Sequence, residues 1–180
     1  MHPCWKRASD SSQAHVIQKG ALYFSNGAPK GCLRVAKVLI VEDDLMMADM
    51  VEMLLISAGY EVCGIARTAA EAVRLAQHHS PDLAVIDMRL ADGDLGTDIP
   101  AQLGALGRPG ILYATGNVAT VMLSATDGHA CLAKPYRFED MLRSLEIVAE
   151  MVSTGNASPP FPRGFHVLPV AITGCQGTAA

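Results

Sequence analysis

The sequence predicts an α/β fold whose central sheet is parallel and covered by helices on both faces. Three observations carry this. Short apolar runs alternate with segments at helical spacing along residues 35–152. Half of the residues are hydrophobic while aromatics are only 5%, so the core is aliphatic, built on Val, Ile, Leu, Ala and Met. The strand-like runs are nearly continuous in apolar residues, as strands buried on both faces are.

Residues 1–34 show neither period and mix Ser, Gly, Pro and Lys, which predicts a disordered or loosely attached leader. Ala36 to Val41 reads as the first strand and ends in Glu42, Asp43 and Asp44. The next segment is a helix expected to bury Met47, Met50, Val51, Leu54 and Ala58, with Gly59 closing it. Glu61 to Ala66 is a second strand, and Thr68 with Glu71 forms a T-x-x-E capping box before the helix of Ala72, Val73 and Ala76.

Pro81 precedes a third strand, Asp82 to Ile86, which terminates at Asp87. After a Gly/Asp-rich loop comes a helix near Asp98 to Leu106, where Pro100 is tolerable only in the first turn. Gly110 to Ala114 is the fourth strand, Val118 to Ala125 a short helix, and His129 to Ala133 the fifth strand. Phe138 to Val152 is a helix with Phe138, Met141, Leu142, Leu145, Val148 and Val152 on one stripe. Residues 153–180, rich in Pro and Gly, read as a disordered tail. Right-handed crossovers restrict five such βα units to a few doubly wound arrangements, and the flavodoxin-like strand order 2-1-3-4-5 is expected.

Composition narrows the function. A net charge of -4 and a pI near 5.8 offer no basic face for nucleic acid, and the tail is too short and broken for a DNA-binding output domain. The five cysteines are scattered, with no C-x-x-C pair, so neither a disulfide framework nor a zinc site is expected and a cytoplasmic setting is. No stretch has the length and apolarity of a membrane span.

Ligands of open parallel sheets bind beyond the carboxyl ends of the strands, where the strand order reverses. Those ends offer Glu42 and Asp43, then Asp87, Thr115 and Lys134. Converging carboxylates repel unless a positive charge sits among them, and Mg²⁺, a hard cation that takes oxygen ligands, fits. A carboxylate beside Mg²⁺ can attack a phosphoryl group, whose equatorial oxygens Mg²⁺, the Lys134 ammonium and the Thr115 hydroxyl can serve. Taken singly, each element has a plainer reading. The acidic trio is also a helix N-cap cluster, Asp87 a turn residue, Thr115-Gly116 a strand-to-helix turn and Lys134-Pro135 a loop.

The segments VLIVEDD, PDLAVIDMRL, ILYATG and ACLAKPY together resemble the four signatures of response-regulator receiver domains, over roughly Ala36 to Met151. The resemblance implies that Asp87 is the phosphoacceptor, that Asp43 binds Mg²⁺ directly and that Glu42 acts through water. It implies further that Arg89 gives the metal its backbone carbonyl, Thr115 is the switch hydroxyl, Lys134 contacts the phosphoryl group, and the Lys134–Pro135 bond is cis. Arg89 and Asn117 flank the phosphate and are expected to tune its lifetime. The implied partners are a histidine kinase or histidine phosphotransferase, docking through the first helix, and a downstream protein.

Two departures stand out. Cys131 occupies a position where such domains often carry Tyr or Phe, which puts the usual Thr–aromatic coupling in doubt. The ATG-N segment resembles, in part, an atypical subgroup of stand-alone receivers with an F-A-T-G-type motif. Cys131 itself reads as a small buried hydrophobe. The expected function is a phospho-accepting receiver that is not an enzyme. One alternative is a non-phosphorylated interaction module. The other is an Mg²⁺-dependent phosphohydrolase, which would want an acid where Arg89 stands.

Overall fold

The computed structural model describes residues 23–24, 34–90, 93, 95–103, 109–116 and 123–169. Eight strands and four α-helices lie among them. Tyr23–Phe24 (β1) and Arg34–Val35 (β2) pair antiparallel in a two-stranded sheet of their own. The rest of the expected leader lies outside the described residues.

The main sheet contains Lys37–Val41 (β3), Glu61–Ala66 (β4), Leu83–Asp87 (β5), Gly110–Thr115 (β6), Ala130–Ala133 (β7) and Phe165–Val167 (β8), in the order β4-β3-β5-β6-β7-β8. The first five run parallel in the expected 2-1-3-4-5 arrangement. β3 and β5 are therefore neighbours, although a strand and two helices separate them in sequence. Their carboxyl ends form the crevice where strand order reverses.

The continuous apolar runs are explained by burial on both faces. Val38, Ile40, Leu83, Val85, Leu112 and Leu132 enter one core, while Leu39, Val41, Ala84, Ile86, Tyr113 and Cys131 enter the other. Leu45–Ser57 (α1) and Phe138–Thr154 (α4) supply the first core. Ala69–His79 (α2) and Ile99–Leu103 (α3) supply the second. Pro100 falls in the first turn of α3, where its missing N–H has no intrahelical acceptor to lose.

Helix α2 starts as the sequence predicts. Thr68 Oγ1 accepts the Glu71 N–H at 3.2 Å, while the Glu71 carboxylate reaches past the cap to the Arg67 N–H at 2.9 Å.

Helix α1 keeps the predicted face at Val51, Leu54 and Ala58 and departs from it at Met50. Ala48, Val51 and Leu55 are its buried residues, whereas Met50, expected inside, is 44% exposed. Met46, Met53 and Ile56 also face outward. A helix apolar nearly all round has no polar face from which its orientation can be read.

The C-terminal segment also differs from expectation. Residues 155–169 are not a free tail: β8 adds antiparallel to β7 and extends the sheet by one strand. Phe165 and Leu168 are buried, one in each core, which gives a Pro/Gly-rich stretch enough apolar anchoring to stay in place. Residues 170–180 lie outside the described set, as does most of the helix expected at Val118 to Ala125. Among the described residues, no helix is long and apolar enough to cross a membrane.

Candidate phosphoryl-acceptor site

Strand β3 is buried to its last residue, and the chain emerges at Glu42, whose N–H still bonds the Ala66 carbonyl at 2.9 Å. That ladder bond keeps Glu42 at the sheet rim with only 6% of its surface exposed. The three consecutive acids then divide their work. Asp44 caps α1, its Oδ1 accepting the N–H groups of Met46 at 2.9 Å and Met47 at 3.2 Å. Glu42 and Asp43 turn to the site instead, where their carboxylates and that of Asp87 bring oxygens within 4.8 Å of one another. The helix-cap reading is thus correct for Asp44 alone.

Asp87 ends β5 and packs beside β6, with the Arg89 N–H donating to its Oδ1 at 3.1 Å. The loop beyond it closes tightly: Arg89 bridges Leu95, and the Gly96 N–H bonds the Met88 carbonyl at 3.1 Å. A Cβ on Gly96 would lie 2.1 Å from the Asp87 carbonyl oxygen, so only glycine allows this approach. Sequence reasoning passed over Gly96, because one glycine in a Gly/Asp-rich loop carries no mark of what it touches.

Lys134, following β7, closes the arrangement. Its Nζ donates to Asp87 Oδ2 at 2.6 Å and to Glu42 Oε2 at 2.8 Å. Its backbone N–H bonds the Thr115 carbonyl at 2.7 Å, and the Lys134–Pro135 peptide is cis. Thr115 itself is buried at the end of β6.

The electrostatics follow from burial and pairing. Burial pushes the Glu42 carboxyl above its usual range; Lys134 works against this and the Asp87 charge adds to it. For Lys134, burial opposes the charge, but its bonds to Asp87 and Glu42 outweigh that and hold the ammonium above its ordinary pKa. The half-buried Tyr136 phenol senses the same group. Burial raises its pKa, Lys134 lowers it, and the charges of Glu42 and Asp87 raise it again. Sequence reasoning did not single out Tyr136.

The structure thus unites Glu42, Asp43, Asp87 and Lys134, with Thr115 tied to Lys134 through the backbone. Asn117 lies outside the described residues. Cys131 is 4% exposed in β7, between Tyr113 of β6 and His166 of β8, and burial pushes its thiol pKa up. It is a packed apolar group, as the sequence suggested.

Residues 38–146, more than half of the chain, match the family model described as response regulator receiver domain. The chain belongs to this family. Such receivers are typically phospho-acceptors rather than enzymes, take Mg²⁺ at their acidic pocket and interact with histidine kinases. The transcriptional regulatory protein PdtaR of Mycobacterium tuberculosis is 33% identical over 115 residues, which are 62% of this chain and 55% of that protein. This receiver thus matches about half the length of PdtaR. The chemotaxis protein CheY of Bacillus subtilis is 29% identical over 112 residues, 61% of this chain and 93% of CheY.

Among solved structures, the signal receiver domain of a modulated diguanylate cyclase from Desulfovibrio desulfuricans aligns with a TM-score of 0.59 at 28% identity. That alignment covers 68% of this chain and all of the other. The receiver fold and its acidic pocket of Glu42, Asp43 and Asp87 therefore agree with the family.

Proposed function

We propose that this receiver takes a phosphoryl group on Asp87 from a histidine kinase or histidine phosphotransferase and passes the signal on by protein–protein contact. The observation that carries the reading is the Lys134 ammonium held between Asp87 and Glu42 while carboxylate oxygens of Glu42, Asp43 and Asp87 lie within 4.8 Å of one another. An all-oxygen, acidic donor set of this kind suits Mg²⁺. Glu42, Asp43, Asp87 and the Arg89 backbone carbonyl are the groups that would hold it. Bound there, the ion neutralises charge on the transferring phosphoryl oxygens.

The chain's own groups do the rest. An Asp87 carboxylate oxygen forms the new bond to phosphorus as the donor's bond to phosphorus breaks. The Lys134 ammonium moves to the phosphoryl oxygens, and the Thr115 hydroxyl serves a further oxygen. Arg89 and Asn117 tune how long the acyl phosphate lasts. Arg89 stands where a phosphohydrolase would want its second acid, and it offers Asp87 a backbone N–H rather than a general acid.

The test uses acetyl phosphate with Mg²⁺ and intact-mass detection, acetate being the leaving group. The parent gains one acid-labile phosphoryl group and Asp87→Asn gains none. A variant that labels as well as the parent would overturn the assignment.

A further inference from the structure

The segment after α4 is fastened to the strand that carries Lys134. In the β7–β8 pair, Phe165, His166 and Val167 lie opposite Leu132, Cys131 and Ala130. Just beyond, the Ala133 N–H donates to the Gly164 carbonyl at 3.0 Å, and Ala133 is the covalent neighbour of Lys134. Gly164 has φ +76, and a Cβ there would meet the Ala133 Cβ at 3.1 Å. Glycine permits both the turn and the approach.

The far end of the segment clasps the loop at 123–129. The Leu168 N–H donates to the His129 carbonyl at 2.9 Å, and the Ala125 N–H to the Pro169 carbonyl at 2.8 Å. That loop is also tied to β6, because the Tyr113 hydroxyl donates to the Asp127 carbonyl at 2.9 Å. Tyr113 is two residues before Thr115 on the same strand, so both point to one face. The segment therefore bridges the neighbour of Lys134 and the loop tied to the Thr115 strand.

Its attachment is local and modest. Arg143 of α4 donates to the Ser158 carbonyl at 3.0 Å and to the Pro160 carbonyl at 3.4 Å. The Phe161 ring stacks on Phe165 at 5.8 Å. Only three residues pair with β7, and His166 and Val167 remain exposed. Two buried side chains, Phe165 and Leu168, and a three-residue ladder keep the segment seated, but they are few for its length, which places it toward the readily opened end of the stability range.

We propose that residues 156–169 form a regulatory strap, released from β7 when Asp87 is phosphorylated so that the β7 edge and the 123–129 loop become uncovered. This rests on the reading of Asp87 as phosphoacceptor. The link is electrostatic, then mechanical. A phosphoryl group brings about two negative charges and three strong acceptor oxygens, and the ammonium now shared between Asp87 and Glu42 follows them. The Lys134 backbone adjoins Ala133, whose N–H bonds Gly164, and its own N–H bonds the Thr115 carbonyl; a shift of Lys134 strong enough to strain that backbone would act on the Ala133–Gly164 bond. Coupling of this kind is reciprocal: whatever loosens the strap favours the phosphorylated state.

The test is hydrogen exchange by mass spectrometry on the full chain with Mg²⁺, with and without acetyl phosphate, Asp87→Asn serving as control. Phosphate stoichiometry is read from intact mass in the same samples. Amides of 163–168 exchange at least about fivefold faster once Asp87 is labelled. Label without faster exchange overturns the strap and leaves the receiver reading standing, whereas absence of label overturns both. Arg143→Ala raises the phosphorylated fraction at fixed acetyl phosphate, and a fraction equal to or below the parent's contradicts the coupling. The exchange measurement on the unaltered sequence decides alone if that variant folds poorly.

Discussion

Replacing Lys134 with methionine separates two roles of its charge, because the two effects have opposite signs. The ammonium lies 2.6 Å from Asp87 Oδ2 and 2.8 Å from Glu42 Oε2, on two of the three carboxylates that would hold a divalent ion. Lys134 and a metal ion therefore repel each other within one cluster. Unit charges about 4 Å apart interact by about 1 kcal/mol in water and about 4 kcal/mol near a protein surface. With the Lys134 side chain 22% exposed, we take about 1–3 kcal/mol, roughly 5- to 150-fold in Kd. Calorimetric titration of Lys134→Met should accordingly show tighter Mg²⁺ binding, while labelling by acetyl phosphate falls because the phosphoryl oxygens have lost their cation. Without Mg²⁺ the variant should also melt below the parent, since its carboxylates face one another with no counter-charge, and adding Mg²⁺ should close the gap. Unchanged or weaker Mg²⁺ affinity would refute the argument, for it would mean that ammonium and metal do not share these oxygens.

Three further outcomes follow from the geometry. Gly96→Ala forces a Cβ against the Asp87 carbonyl and, at 2.7 Å, against Ile86 Cγ2. It should cost about 1–3 kcal/mol in a denaturant titration and weaken Mg²⁺ binding by displacing Asp87; parental stability would show that the loop gives way freely. Asp44→Ala removes the α1 cap and should cost about 1 kcal/mol while leaving Mg²⁺ affinity within about threefold of the parent, a larger loss of affinity making Asp44 part of the metal group instead. Cys131, buried and with its thiol pKa raised, should stay unmodified by iodoacetamide at pH 7 in the folded chain and react once unfolded, as read by peptide mass; fast native labelling would contradict its packing.

What could be read from the sequence divides along physical lines. The strands were legible because burial on both faces demands continuous apolar runs, and β3, β5 and β6 obey this to within a residue or so of their ends. Capping was legible at Thr68 because two polar groups at fixed spacing have few other uses. The face of α1 was legible only in part, at Val51, Leu54 and Ala58, since Leu45, Met46, Met50, Met53 and Ile56 are as apolar as the residues it buries. Strand β8 was not legible, because three residues flanked by Pro and Gly carry no strand period and are held by tertiary contacts at Phe165 and Leu168. Gly96 and Tyr136 escaped for a related reason: what matters about them is a neighbour distant in sequence.

Legibility of the site has a different cause. Lys134 is 47 positions from Asp87 and 92 from Glu42, so no local preference can bring them together. Only the strand order does so, by setting β3 beside β5 and carrying the chain across β6 to β7. Each residue is ambiguous by itself, yet each stands at a strand's carboxyl end, and the order 2-1-3-4-5 turns those ends into one rim. A shift of β3 by one residue against both β4 and β5 would reverse which side chains enter each core and move Glu42 off the rim together with its ladder bond to Ala66. The packing that makes Val38, Ile40, Leu83 and Val85 face one core is therefore also what holds the carboxylates together. Mutations deep in β3 or β5 should weaken Mg²⁺ binding without touching a ligand.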